Sequence, residues 1–175
     1  TLPILPVQIL WVNLTTAVLL GMTLTFEPKE PGIMERAPRD AQVSFLTPRL
    51  LGRIVLVGLV MLLGGFALFE WELMQGATVQ QARTVAVNVF VMVQVAYLFS
   101  SRSLRQPVWR MNPFANLWLV AGAGLMLALQ GLFTYLPLMN TLFHTAPVGA
   151  EAWLGVIVVA LAAVAAVEVE KRLGR

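Results

Sequence analysis

Asn13, Thr15 and Thr16 stand within an otherwise apolar stretch. Oxygen-bearing side chains in such a place need partners, because hydrocarbon offers none. Asn13 and Thr16 are three residues apart and Ala17 follows, so on a helix these three share one side. Thr15 lies about 100° away from Thr16 around the same helix and is expected to bond its own backbone. Two chemistries suit Asn13 and Thr16. They can hydrogen-bond to neighbouring helices and hold a bundle together, or they can present neutral oxygens to a passing cation. The residues alone leave both open. Gly21, one turn beyond Ala17, would let the backbone bend or unwind where carbonyl oxygens are needed. Gln94 lies deep in a second apolar stretch, with Tyr97 one turn further on the same side. Asn88, six residues before Gln94, falls on a different face, so one amide is expected to face the interior and the other to bond a neighbouring helix.

The elements that must hold these side chains are membrane spans. The chain has 175 residues, of which 58% are hydrophobic and only 12% charged. A soluble domain carries about twice that charged fraction. Runs of roughly 20 apolar residues cross the hydrocarbon core. Five qualify or nearly so, at about residues 5–26, 50–71, 84–100, 117–136 and 152–167. They are continuous rather than alternating, which predicts helices and not barrel strands. The fold class is therefore an all-α membrane protein with five transmembrane helices. Residues 27–48 form a loop of alternating charge with Pro28, Pro31 and Pro38, and residues 101–116 form a second loop with a basic and aromatic belt. The run at 50–71 reads as scaffold, with Arg53 and Glu70 snorkelling to the interfaces. Gln130, alone in the fourth run, reads as packing. Glu168 and Glu170 beside Lys171 and Arg172 read as surface ion pairs.

Eleven of the twelve basic residues fall at one end of these spans, Arg83 being the exception. By the positive-inside rule the C-terminus is cytoplasmic and the N-terminal end outside. The net charge of +3 gives no case for nucleic acid. There is no cysteine, which removes disulfides and thiolate metal sites. His144 has no partner ligands in sequence and reads as an ordinary loop residue, so no metal site is assigned. The first six residues carry no basic region or cleavage site, so no signal peptide is expected. With its abrupt start and an odd number of spans, the chain is expected to be a piece of something longer.

The run Pro6-Val7-Gln8-Ile9-Leu10-Trp11-Val12-Asn13-Leu14-Thr15-Thr16 is followed by Phe26-Glu27-Pro28 and then by Ile33-Met34-Glu35-Arg36-Ala37-Pro38-Arg39. These linked blocks resemble the sixth transmembrane helix and the following cytoplasmic loop of P-type cation-transporting ATPases, in the calcium-pump and sodium-pump branch. The similarity continues more weakly to the last residue. It implies that the chain is the last five helices of such a pump's transmembrane bundle. It further implies a cation path through Asn13, Thr16 and Gln94, and a loop, with Glu27, Pro28, Arg36, Pro38 and Arg39, that couples ATP chemistry to the membrane. Gln94 falls where the family's eighth helix carries a Glu or Gln, and Tyr97 where the sodium-pump branch has an Asp.

The resemblance also implies partners: the lipid bilayer, the upstream helices and cytoplasmic domains of the same protein, and the transported cation. The expected location is the plasma membrane. ATP and magnesium belong to the full-length protein. This chain has neither the Asp-Lys-Thr-Gly phosphorylation motif nor a glycine-rich phosphate loop, so it is not expected to hydrolyse ATP alone. Where the calcium and sodium pumps place an Asp after the Asn-Leu-x-Thr run, this chain has Ala17. With Gln94 also neutral, no carboxylate lies midway along any of the five runs. That argues against a high-affinity calcium site, since hard divalent cations favour several charged oxygens. The other readings weighed are a non-enzymatic helical anchor or assembly module, and half of a secondary ion transporter.

Overall fold

The computed structural model describes residues 2–27, 47–102, 108 and 113–173. Every regular element among them is helical. Helix α1 runs Pro6–Thr16, passes through a π-turn at Ala17–Gly21 and ends in a 3-10 turn at Leu24–Phe26. Then follow α2 (Pro48–Met74), α3 (Val79–Ser101), α4 (Leu117–Tyr135), the short α5 (Pro137–Phe143) and α6 (Ala150–Leu173). Five of these, counting α1 through Phe26, are 19 to 27 residues long and apolar enough to cross a membrane. At about 1.5 Å per residue such lengths match a hydrocarbon core about 30 Å thick.

Helix starts follow local chemistry. Pro48 opens α2 behind Thr47, whose side chain accepts the Leu50 N–H at 3.3 Å. Thr78 and Gln81 form a reciprocal capping box at the start of α3. That box starts α3 at Val79, five residues before the apolar run from Thr84. Asn116 caps α4 by accepting the Leu119 N–H at 3.0 Å. Gly76, at φ 84°, makes the left-handed turn that ends α2 and lets α3 return against it. His144 takes the same kind of position after α5, at φ 53°, and is exposed.

Helix α3 is the axis. It is buried over most of its length, as a helix apolar all round should be. Val85, Val89 and Val93 face Val156, Ala160, Ala163 and Val167 of α6, with Val57 of α2 completing that side. Val87, Val91, Val95 and Leu98 face Val12 and Leu20 of α1 and Leu119, Ala123 and Met126 of α4. The first set repeats every four residues and the second nearly so, which is what places them on two stripes of one helix. Small residues let neighbours close in: Gly155 packs under Leu68, and Gly65 under Phe90. At the other edge, Trp11 of α1 stacks on Phe133 of α4 at 5.4 Å, and Phe143 closes on both rings.

Candidate functional site

Two polar regions sit in this apolar frame, one along α1 and one at the end of the bundle that carries the C-terminus. Along α1, Asn13 and Ala17 are exposed, Thr16 is half-buried and Thr15 is buried. The Thr16 hydroxyl donates to the Val12 carbonyl at 2.7 Å, and that of Thr15 to the Trp11 carbonyl at 2.8 Å. Both threonines therefore spend their protons on their own helix, and lone pairs on Thr16 remain available. Gln94 is half-buried on the stripe with Val87, Val91 and Leu98, the side of α3 that α1 and α4 cover. Among the described residues no hydrogen bond reaches the side chains of Asn13 or Gln94, and none links either to Thr16. Asn13 turns away from the bundle that these five spans make.

Immediately after Thr16 the helix widens into its π-turn. Such turns shift backbone groups out of the regular i→i−4 ladder and recur at functional sites. The arrangement thus offers neutral oxygens only: an amide, a hydroxyl and a loosened run of carbonyls. Among the described residues no three of His, Asp or Glu gather as metal ligands.

Asn88 is fully buried, and its Oδ1 accepts from Gln130 Nε2 at 2.6 Å and Thr134 Oγ1 at 3.2 Å. Gln130 in turn accepts from Trp11 Nε1 at 3.4 Å, so this chain of amides ties α1, α3 and α4 together. Among the described residues Asn88 Nδ2 has no partner. Gln130 is thus more than filler. Sequence position could not show it, because two lone amides on different helices give no sign that they meet. Asn88→Ala is expected to cost about 1–2 kcal/mol by removing the acceptor shared by Gln130 and Thr134. It should lower the melting temperature of the purified protein, and an unchanged value would show the network to be idle.

At the far end the ion pairs differ from the sequence expectation. Lys171 and Glu168 are buried, at 1% and 5% exposure, so they are not a surface pair. Lys171 Nζ donates to Glu168 Oε1 at 2.9 Å, to the Ser100 carbonyl at 2.7 Å and to Ser100 Oγ at 3.0 Å. Ser100 Oγ donates to the same Glu168 oxygen at 2.8 Å. Arg53, also expected to snorkel outward, is 2% exposed and its Nε donates to Glu170 at 2.8 Å. The reason is tertiary: the last turns of α3 and α6 and the first of α2 close over these groups. Each charge then needs its partner at hand.

Glu27, at the start of the charged loop, is held twice. Arg102 Nε donates to its Oε1 at 2.7 Å and Asn116 Nδ2 to its Oε2 at 2.9 Å. The other loop residues singled out in sequence, Pro28, Arg36, Pro38 and Arg39, lie outside the described residues.

These features define an integral membrane protein of the polytopic helical class, with a polar, irregular first span whose end, at Glu27, is tied to Arg102 and Asn116. The family model for the C-terminal part of cation transporting ATPases matches residues 1–173. The chain belongs to that family. It is 47% identical over 99% of its length to a probable cation-transporting ATPase F of Mycobacterium tuberculosis, covering 19% of that protein. It is 36% identical to the cation-transporting ATPase pma1 of Synechocystis, with 87% of the chain and 18% of the relative covered. A calcium-transporting ATPase of Bacillus subtilis is 30% identical over 89% of the chain and 18% of its own length. The chain therefore spans about a fifth of each of these curated relatives.

Proposed function

We propose that this chain forms the last five membrane spans of an ATP-driven cation pump, with α1 lining the cation path. The phosphorylation and nucleotide sites belong to the full-length protein, which takes ATP and magnesium. The charged loop after Glu27 relays the chemistry of those domains to α1. The plasma membrane is the location, with the C-terminus in the cytoplasm, as the one-sided basic residues favour. The observation that carries the reading is the uncovered face of α1. Asn13 is exposed on a span-length helix, one turn before a π-turn, and no described residue hydrogen-bonds its side chain; a polar side chain there belongs against protein or a water-lined path, not lipid. Upstream helices of the same protein would cover that face and close a cavity over Asn13, Thr16 and Gln94.

The neutral residues on this part of the path favour a singly charged cargo. Ala17 and Gln94 leave this half of the path without a carboxylate, and neutral oxygens suit a singly charged cation better than calcium. The test is ATPase activity of the purified full-length protein across sodium, potassium, calcium and manganese. Stimulation by a monovalent cation at the lowest concentration is the expected result; no stimulation by any cation would end the pump reading. The 175-residue chain alone should bind no ATP saturably. Single cysteines at Lys29 and Arg105 should label from one side of the membrane and one at His144 from the other. Labelling of Lys29 and His144 from the same side would overturn the topology.

A further inference from the structure

Helix α1 is not one continuous α-helix, and the place where it departs has a fixed seat. A π-turn holds one residue more than an α-helical turn. Converting Ala17–Gly21 to α-helix would rotate everything beyond it by about 100° and shift it by about 1.5 Å relative to Asn13 and Thr16. Both sides of the turn are attached to α4. Before it, Trp11 stacks on Phe133 and donates to Gln130. After it, Asn116 Nδ2 donates to the Thr23 carbonyl at 3.2 Å and to Glu27 Oε2 at 2.9 Å, while Arg102 holds the other Glu27 oxygen. A rotation of 100° would carry Thr23 and Glu27 away from these donors.

Between the two attachments lies Gly122, buried against the turn itself. A Cβ at Gly122 would overlap the Thr23 Cγ2 methyl and stand 2.8 Å from the Leu19 carbonyl oxygen. The methyl could swing aside, but the carbonyl belongs to the backbone of the π-turn and could not move without it. Gly124, two residues along the same helix, has nothing within 4 Å of the equivalent point. Gly124 is exposed and lies about 200° around the helix from Gly122, so it stands outside the contact and serves as its control.

We infer that Gly122 is a positioning residue, the seat that holds the π-turn of α1 and so fixes the rotational phase of Asn13 and Thr16 relative to Glu27. The effect of that phase on transport rests on the pump reading above; the seat itself rests on geometry alone. A side chain at Gly122 must lift α1 away from α4 or resolve the π-turn, and either change alters how the cation face is aimed when Glu27 is held.

The experiment uses the full-length protein with three variants: Gly122→Ala, Gly124→Ala, and Asn116→Asp. The last keeps the acceptor that caps Leu119 but loses the donor to Thr23 and Glu27. Three quantities are read: the cation concentration for half-maximal ATPase stimulation, the maximal rate, and amide hydrogen exchange over residues 17–26. Gly122→Ala and Asn116→Asp should each shift the half-maximal concentration about fivefold or more and speed exchange in that segment. Gly124→Ala should match wild type. A seat that only packed helices together would change protein level or maximal rate and leave the half-maximal concentration in place. Should Gly122→Ala fail to reach the membrane, Asn116→Asp decides by the same readouts. Wild-type half-maximal concentration and wild-type exchange in Gly122→Ala, or in Asn116→Asp when that variant decides, overturn the inference. If the wild-type protein responds to no cation, the pump reading fails, and hydrogen exchange alone still decides whether Gly122 seats the turn.

Discussion

Lys171→Met in the full-length protein is expected to lose about 3–5 kcal/mol of stability, the cost of stranding one member of a buried ion pair. Lys171 Nζ donates to Glu168 Oε1, the Ser100 carbonyl and Ser100 Oγ. Methionine fills the space of the stem but returns none of these bonds. Glu168, at 5% exposure, would keep the Ser100 hydroxyl but face no cation. Domains are stable by only about 5–15 kcal/mol, so this loss should be visible as a large fall in membrane level and in the melting temperature of purified protein. The double variant Lys171→Met with Glu168→Met should recover most of it, because replacing both partners with apolar groups removes the stranded charge. A single variant no less stable than the double would show that the pair is not charged and buried as the structure has it.

The pair also shows where sequence reading reaches its limit. The five spans were legible because lipid forces long apolar runs, and the one-sided basic residues gave an orientation argument from the same source. The alternating valine stripes of α3 mark a helix that must be covered, although they do not say by what. Glu168 and Lys171 looked like a surface pair because they stand at the end of an apolar run. What buries them is α3 ending alongside them with Ser100, a contact between residues 71 apart in sequence. Arg53 and Glu170 are 117 apart and were hidden in the same way. Asn88 and Gln130 each read as isolated amides; only the register of α3 against α4 makes them partners. The π-turn had one hint, Gly21, which permits irregular backbone but does not specify it. The candidate site was legible as residue types on one face of α1. Its environment was not, because no described residue partners the Asn13 side chain.

On the pump reading, Asn13→Ala in the full-length protein is expected to raise the cation concentration for half-maximal activity about tenfold, as loss of one ligand worth about 1.4 kcal/mol would, while protein level stays near wild type. Asn13 is exposed in this bundle and its side chain makes no hydrogen bond to the described residues, so its truncation costs these five spans little. The neighbouring Thr15 supplies the contrast. It is buried, and its hydroxyl is committed to the Trp11 carbonyl at 2.8 Å and the Val12 carbonyl at 3.3 Å, on the side where α1 packs. Thr15→Val should therefore leave cation affinity unchanged and affect only stability, by a small amount, because a helix that loses a side-chain bond to its own carbonyl keeps its backbone ladder. Two positions two residues apart on one helix would then separate into one that binds and one that packs, as their angular separation of about 200° requires. Comparing ATPase titrations with quantified membrane protein for both variants checks this. If Asn13→Ala instead loses activity only in proportion to protein level, with an unchanged half-maximal concentration, Asn13 holds helices together and the cation path runs elsewhere.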